Sequence, residues 1–129
     1  MKIEHIAIWT DDIEKMRLFY VTYFGAVSNE KYHNSAKNYS SYFLSFGEDK
    51  TRIELMQRPD ITDNIEKRGF TKGLAHFAIS VGNKTAVNEI TERLRADNYI
   101  IESEPRTTGD GYYESVVLDP EENYIEITG

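Results

Sequence analysis

Apolar and polar residues alternate through two short stretches, Glu4-His5-Ile6-Ala7-Ile8-Trp9 and Leu74-Ala75-His76-Phe77-Ala78-Ile79-Ser80. Side chains along a strand point to opposite faces in turn, so both stretches read as half-buried strands. Ile6 and Ile8 share one face of the first, with His5, Ala7 and Trp9 on the other. Ala75, Phe77 and Ile79 share one face of the second, with His76, Ala78 and Ser80 opposite.

The periodicity then changes from two to 3.6. Thr10-Asp11-Asp12 offers N-cap oxygens, and Glu14 follows Asp11 at capping-box spacing. Ile13, Met16, Tyr20, Tyr23 and Phe24 fall on a helical stripe that Gly25 ends. A strand is predicted from Ala26 to Tyr32, a polar loop carrying His33 from His33 to Asn38, and an aromatic-rich strand from Tyr39 to Phe46. The turn Gly47 to Lys50 leads into a strand from Thr51 to Gln57, with Ile53 and Leu55 facing away from Arg52, Glu54 and Met56. Residues 58–72 lack periodicity and read as a linker, with a helical turn around Ile61 to Glu66.

The second half repeats this order. After the strand from Leu74 to Val81, Asn83 caps a helix with Val87, Ile90 and Leu94 on one stripe, ending at Asp97-Asn98. A short strand from Tyr99 to Ser103, a loop from Glu104 to Gly111, a strand from Tyr112 to Leu118, a turn over Asp119 to Asn123 and a last strand from Tyr124 to Thr128 complete the chain. His5 and His76 are 71 positions apart, Glu54 and Glu126 are 72 apart, and Ile53-Glu54-Leu55 matches Ile125-Glu126-Ile127. Each half is β-α-β-β-β. The chain is read as α+β: two βαβββ modules, 1–57 and 73–129, joined by the linker 58–72 in one domain with a curved mixed sheet.

That register gathers chemistry. The apolar positions Ile6, Ile8, Ile53, Leu55, Phe77, Ile79, Ile125 and Ile127 are expected under the helices, leaving His5, Glu54, His76 and Glu126 on the open face. Two imidazoles and two carboxylates suit a divalent ion such as Zn, Ni, Co, Mn or Fe, because the carboxylates neutralise its charge and neutral imidazoles bind through one nitrogen. Octahedral coordination would leave two positions for water or substrate.

Composition narrows the partners. The 129 residues carry a net charge of −7, from 15 basic and 22 acidic side chains, which argues against nucleic-acid and anionic-membrane surfaces. With no cysteine there is neither a disulfide nor a thiolate metal site. No apolar run approaches membrane-spanning length, and Glu4, His5 and Asp11-Asp12 break any signal-peptide pattern, so a cytoplasmic protein is expected.

His5-Ile6-Ala7-Ile8, Phe19-Tyr20 with Phe24-Gly25, Ile53-Glu54-Leu55, Gly73-Leu74-Ala75-His76-Phe77-Ala78 and Asp119-Pro120 with Ile125-Glu126-Ile127 together resemble the vicinal oxygen chelate superfamily. That superfamily spans glyoxalases, bleomycin-resistance proteins and extradiol dioxygenases. The order His, Glu, His, Glu is most similar to glyoxalase I, or lactoylglutathione lyase. The resemblance implies a homodimeric metalloenzyme that isomerises a small α-oxo hemithioacetal through a metal-bound ene-diolate. Glu126 is the first choice as base, with Glu54 the second metal carboxylate and possible partner.

The glutathione contacts of glyoxalase I, an arginine and an asparagine four residues after the first and second ligands, are replaced here by Trp9 and Arg58. Glutathione as the thiol is therefore doubtful. Trp9 is expected to shape a substrate pocket, and Arg52 and Arg58 to offer charge to an anionic substrate. The same resemblance leaves open a non-enzymatic drug- or metabolite-binding protein and an Fe(II) extradiol dioxygenase.

Overall fold

The computed structural model describes residues 2–48, 50–62 and 68–129. The chain divides into two compact units, Met1–Asp63 and Asn64–Gly129.

In the first unit, β1 (His5–Trp9) leads into α1 (Ile13–Phe24), followed by β2 (Val27–Ser28), β3 (Tyr32–Asn34), β4 (Tyr39–Ser45) and β5 (Arg52–Gln57). The sheet runs β1-β5-β4-β2, with β3 also paired to β4. β1 lies parallel to β5, and the other ladders are antiparallel. α1 is capped by Asp12, whose side chain accepts from Lys15 N–H at 2.9 Å, and Gly25 ends it at φ +64, a conformation glycine adopts without a Cβ clash. The cap is Asp12 itself, and Glu14 makes no box: its carboxylate takes the Tyr42 hydroxyl at 3.0 Å and Lys31 Nζ at 3.0 Å. Met16, Phe19 and Tyr20 of α1 bury against Leu44, Ile53 and Leu55 of the sheet, each such side chain contributing about 1.5–3 kcal/mol of transfer free energy.

The second unit contains β6 (Phe77–Ser80), α2 (Lys84–Ala96), β7 (Ile101–Thr107), β8 (Tyr113–Leu118) and β9 (Tyr124–Thr128). Its sheet runs β6-β9-β8-β7, again with the first strand parallel to the last. Apart from β3, which has no counterpart among the described residues here, this is the order of the first unit. Asn83 caps α2 by accepting from Ala86 N–H at 3.0 Å. Val87 and Leu94 pack on Val117, Ile125 and Ile127, all fully buried. The helix also buries Thr91, whose hydroxyl donates to Val87 O at 2.7 Å and meets Ser115 Oγ at 2.7 Å, so both polar groups are satisfied inside the core.

Several boundaries differ from the sequence reading. His33 lies in a strand, β3, where Nδ1 contacts Ser40 Oγ at 2.9 Å; pairing with β4 turns a polar segment into a strand. β7 is longer than expected and runs through Pro105, with register shifts between Ile101 and Ser103 and between Ser103 and Arg106 that spare the ladder the missing N–H. β6 is shorter than expected, and Phe77, Ile79 and Ile6 are only half-buried because β1 and β6 are edge strands. The helical turn expected around Ile61 to Glu66 lies largely outside the described residues. Among the described residues, no helix is long and apolar enough to cross a membrane.

Candidate metal centre

In the parallel ladder of the first unit, Ala7 is the partner of Glu54; in the second, Ala78 is the partner of Glu126. Each histidine stands two residues before that alanine and therefore on the same side as the glutamate. His5 opens β1, whereas His76 lies one residue ahead of β6. His5 Nε2 is 3.7 Å from Glu54 Oε2, and His76 Nε2 is 3.2 Å from Glu126 Oε1. Two neighbouring ligand atoms on one ion at metal–ligand distances of about 2.1 Å lie roughly 3.0–3.5 Å apart; the His76–Glu126 spacing falls in that range and the His5–Glu54 spacing lies just beyond it. The donor types fit as well: a neutral imidazole and a carboxylate in each unit suit a borderline divalent ion. Among the described residues, no group of three or more His, Cys, Asp or Glu side chains gathers as a metal cage.

The surroundings of the two pairs differ. In the first unit, the Tyr39 hydroxyl donates to Glu54 Oε1 at 2.9 Å, leaving Oε2 facing His5. Burial, together with the Glu54 carboxylate, pushes the Tyr39 hydroxyl above its ordinary pKa, so it remains a donor. Behind His5, Nδ1 contacts Glu4 Oε2 at 2.5 Å, and Glu4 Oε1 accepts from Arg52 Nε at 3.0 Å. Hydrogen bonds from His5 first, and then from Arg52, hold the Glu4 carboxyl below the usual carboxylate range. Phe43 closes the cluster, edge-on to the His5 ring at 5.5 Å and beneath the Arg52 guanidinium at 4.0 Å.

In the second unit, Glu126 has no tyrosine hydroxyl on it among the described residues, and Ala75 occupies the position before His76. Glu126 acts instead on a neighbouring carboxylate. Burial first, and then the charge of Glu126, raise the pKa of Glu114, which shares a sheet face with Glu126 through the β8–β9 ladder. A cavity of about 230 Å³ is lined by His76, Glu126, Phe70, Tyr124, Val116 and Ser103 among others. Phe70 and Tyr124 meet edge-on at 5.6 Å on its wall. Gly69 belongs there because a Cβ would sit 2.8 Å from Ala75 O and 3.1 Å from the Tyr124 ring.

The residues expected to contact substrate are already engaged. Arg52 is bound to Glu4 and stacked on Phe43. Arg58 ion-pairs with Asp60 at 2.5 Å and lies 5.4 Å above the Trp9 ring. Trp9 packs edge-on against Tyr39 at 6.3 Å. Arg58 also lines a polar cavity of about 330 Å³ with Thr10, Asp11, Asn38, Ser40 and Gln57.

Sequence reading missed Glu4 and Tyr39. Strand alternation puts Glu4 opposite His5, but β1 begins at His5 and leaves Glu4 outside the pleat. Tyr39 carried a usable signal: it has the parity of Phe43, the cross-strand partner of Glu54.

The chain matches a family over residues 2–127, described as the Glyoxalase/Bleomycin resistance protein/Dioxygenase superfamily. It is 23% identical over 128 residues to the uncharacterized protein YqjT of Bacillus subtilis, covering 97% of this chain and 96% of that one. Its fold resembles the trypanothione-dependent glyoxalase I of Leishmania major, with a TM-score of 0.79 at 23% identity over 100% of this chain and 86% of that one. It also resembles the lactoylglutathione lyase of Agrobacterium tumefaciens, with a TM-score of 0.68 at 23% identity over 98% and 92% of the two chains. At these identities the two likenesses carry the architecture, and different reactions share it. By the match along nearly its whole length, the chain belongs to the Glyoxalase/Bleomycin resistance protein/Dioxygenase superfamily.

Proposed function

We propose that the protein is a metal-dependent lyase or isomerase of the glyoxalase I type, acting on a small α-oxo hemithioacetal or a related substrate. The observation that carries the reading is the matched pairing of imidazole with carboxylate in both units, His5 with Glu54 at 3.7 Å and His76 with Glu126 at 3.2 Å. Together the four side chains would hold one divalent ion, which would supply Lewis-acid polarisation of the substrate oxygens. Glu126 would serve as the base that moves a proton between adjacent substrate carbons, because among the described residues only His76 engages its carboxylate. Glu54 remains in place through Tyr39 Oη and keeps one oxygen for the metal. Phe70, Tyr124 and Val116 give the His76 side an apolar wall that would receive the apolar part of the substrate.

The proposal extends to the assembly. Repeats 1–57 and 73–129 with linker 58–72 form one cooperative domain, and the protein is a cytoplasmic homodimer. A single unfolding transition and a dimer mass in sedimentation are the corresponding results.

Metal analysis of the purified protein, followed by isomerase assays with several hemithioacetals, tests the reading. Stoichiometric divalent metal, lost in His5→Ala and His76→Ala, supports it; protein that binds no divalent metal, with both variants indistinguishable from the native chain, overturns it. The aromatic wall of the 230 Å³ cavity favours one other reading, a binding module that sequesters an apolar metabolite. Tight binding of such a ligand by metal-free protein without turnover would replace the first reading by the second.

A further inference from the structure

The Glu4–Arg52 pair stands outside the ligand set and has no role in the reading above, yet it is built against one of its members. His5 uses Nδ1 toward Glu4 Oε2 at 2.5 Å and Nε2 toward Glu54 Oε2 at 3.7 Å. An ionised carboxylate can only accept a hydrogen bond, so the proton of that contact belongs to the imidazole. A neutral ring with its proton on Nδ1 has its lone pair on Nε2, the nitrogen that faces Glu54. Free neutral histidine favours the opposite tautomer, so something must hold this one.

Glu4 is itself held. Its other oxygen, Oε1, accepts from Arg52 Nε at 3.0 Å and from Arg52 Nη2, while Arg52 N–H donates to Glu4 O at 3.0 Å. His5 and Arg52 are cross-strand partners in the β1–β5 ladder, so the sheet itself brings the guanidinium alongside the imidazole. Phe43 touches both, and fixes the plane of the ring that Glu4 orients. Three side chains from three segments thus converge on the orientation of one imidazole.

We propose that Glu4, carried by Arg52, is a positioning residue that fixes the Nδ1–H tautomer of His5 and so presents Nε2 as the metal-binding nitrogen. The inference rests on the metal reading, but part of it is measurable without metal. It is also one-sided: Ala75 stands before His76, so His76 receives no such support from its preceding residue. Carboxylates behind ligating histidines raise ligand basicity, and their loss typically lowers metal affinity 10–100-fold.

The test uses the full-length chain and two readouts. Long-range ¹H–¹⁵N correlation of the imidazoles in metal-free protein at pH 8 reports the tautomers, and calorimetric titration with zinc alone reports affinity. The native protein is expected to show His5 protonated on Nδ1. Glu4→Ala should shift His5 toward Nε2–H and weaken zinc about 10–100-fold, with a smaller shift in the same direction for Arg52→Gln. Glu48→Gln, which removes one negative charge in an exposed turn, should change neither readout.

Circular dichroism and the chemical shifts of residues in α1 establish that each variant remains folded; if Glu4→Ala does not, Glu4→Gln replaces it. A native His5 already protonated on Nε2, or a tautomer and zinc affinity unchanged in Glu4→Ala while the native chain binds zinc, overturns the positioning role and leaves the metal reading standing. Native protein that binds no divalent metal overturns the metal reading, and the positioning role with it, whatever the tautomer.

Discussion

His5 and His76 turn the same nitrogen toward a glutamate, but they stand in unequal company. His5 leans on Glu4 and its glutamate carries the Tyr39 hydroxyl, whereas His76 follows an alanine and Glu126 has no such hydroxyl among the described residues. Two copies of one topology have thus given one braced pair and one unbraced pair. The difference suits a division of labour. A ligand that only holds an ion gains from every hydrogen bond behind it, while a carboxylate that must release the ion to move a proton is hindered by each one. Under the proposed function, carboxylates at equivalent positions of the two repeats would take two roles according to what touches each from behind.

The largest expected effect separates the two glutamates. Glu126→Gln should lower kcat by about 10³-fold, the range typical for losing a positioned base, with metal still bound. Glu54→Gln should fail chiefly through weakened metal binding, and added zinc should recover part of its activity. Steady-state kinetics across a zinc series distinguishes them, and equal, zinc-insensitive losses in both would remove the asymmetry.

Asp119 affects the unbraced side next. Its buried carboxylate accepts from Glu121 N–H at 3.0 Å, Asn123 N–H at 2.9 Å and Asn123 Nδ2 at 2.8 Å, closing the turn that leads into Glu126. Asp119→Ala leaves these donors to water or to nothing and should cost about 2–3 kcal/mol in urea unfolding. A loss below about 0.5 kcal/mol would show that the turn is held by other contacts.

On the braced side, Tyr39→Phe should cost about 1–2 kcal/mol of stability and weaken zinc roughly tenfold, with kcat at saturating zinc much less affected. A fall in kcat as large as that of Glu126→Gln would mean that Glu54, and not Glu126, does the proton transfer.

The smallest effect is one of pH. Burial, then Glu126, hold the Glu114 pKa above its ordinary value of 4.5 in the folded chain. A carboxyl raised in this way favours folding while protonated, and its contribution is present below about pH 4.5 and lost as pH rises through the raised value. Above that window the charged form is a penalty, so Glu114→Gln should raise Tm by roughly 1–2 °C at pH 7 and leave it unchanged at pH 3. A lower Tm at pH 7 would show that Glu114 makes a favourable contact as a carboxylate.

How much could be read from the chain beforehand follows from the range of each interaction. That His5 shares a face with Glu54 and His76 with Glu126 was legible because a strand period of two and a repeat of 71–72 positions fix those faces locally. The Asn83 cap and the Gly25 stop were legible for the same reason, being local. Glu4 was not, since its role depends on β1 beginning one residue later and on Arg52, 48 positions away. Nor was the strand at His33, which exists because Ser40 and Tyr39 pair with it. Thr91 breaks the apolar stripe of α2 and looks exposed in sequence, but Ser115 answers it in the core.

The Asp119 turn also bears on how such a chain can change over generations. Its carboxylate reaches two and four residues ahead, so one inserted or deleted residue between Asp119 and Asn123 would break these contacts and slip β9 by one position. The slip would drive Glu126 into the core and turn Ile125 and Ile127 outward. The tight turn of residues 35–38, between β3 and β4, has no ligand directly behind it, and Asn38 N–H closes it on Ser35 O at 3.4 Å. Length variation among descendants should therefore accumulate at that hairpin and be purged at Asp119–Asn123, where a single extra residue exchanges the Glu126 carboxylate for a hydrophobic side chain.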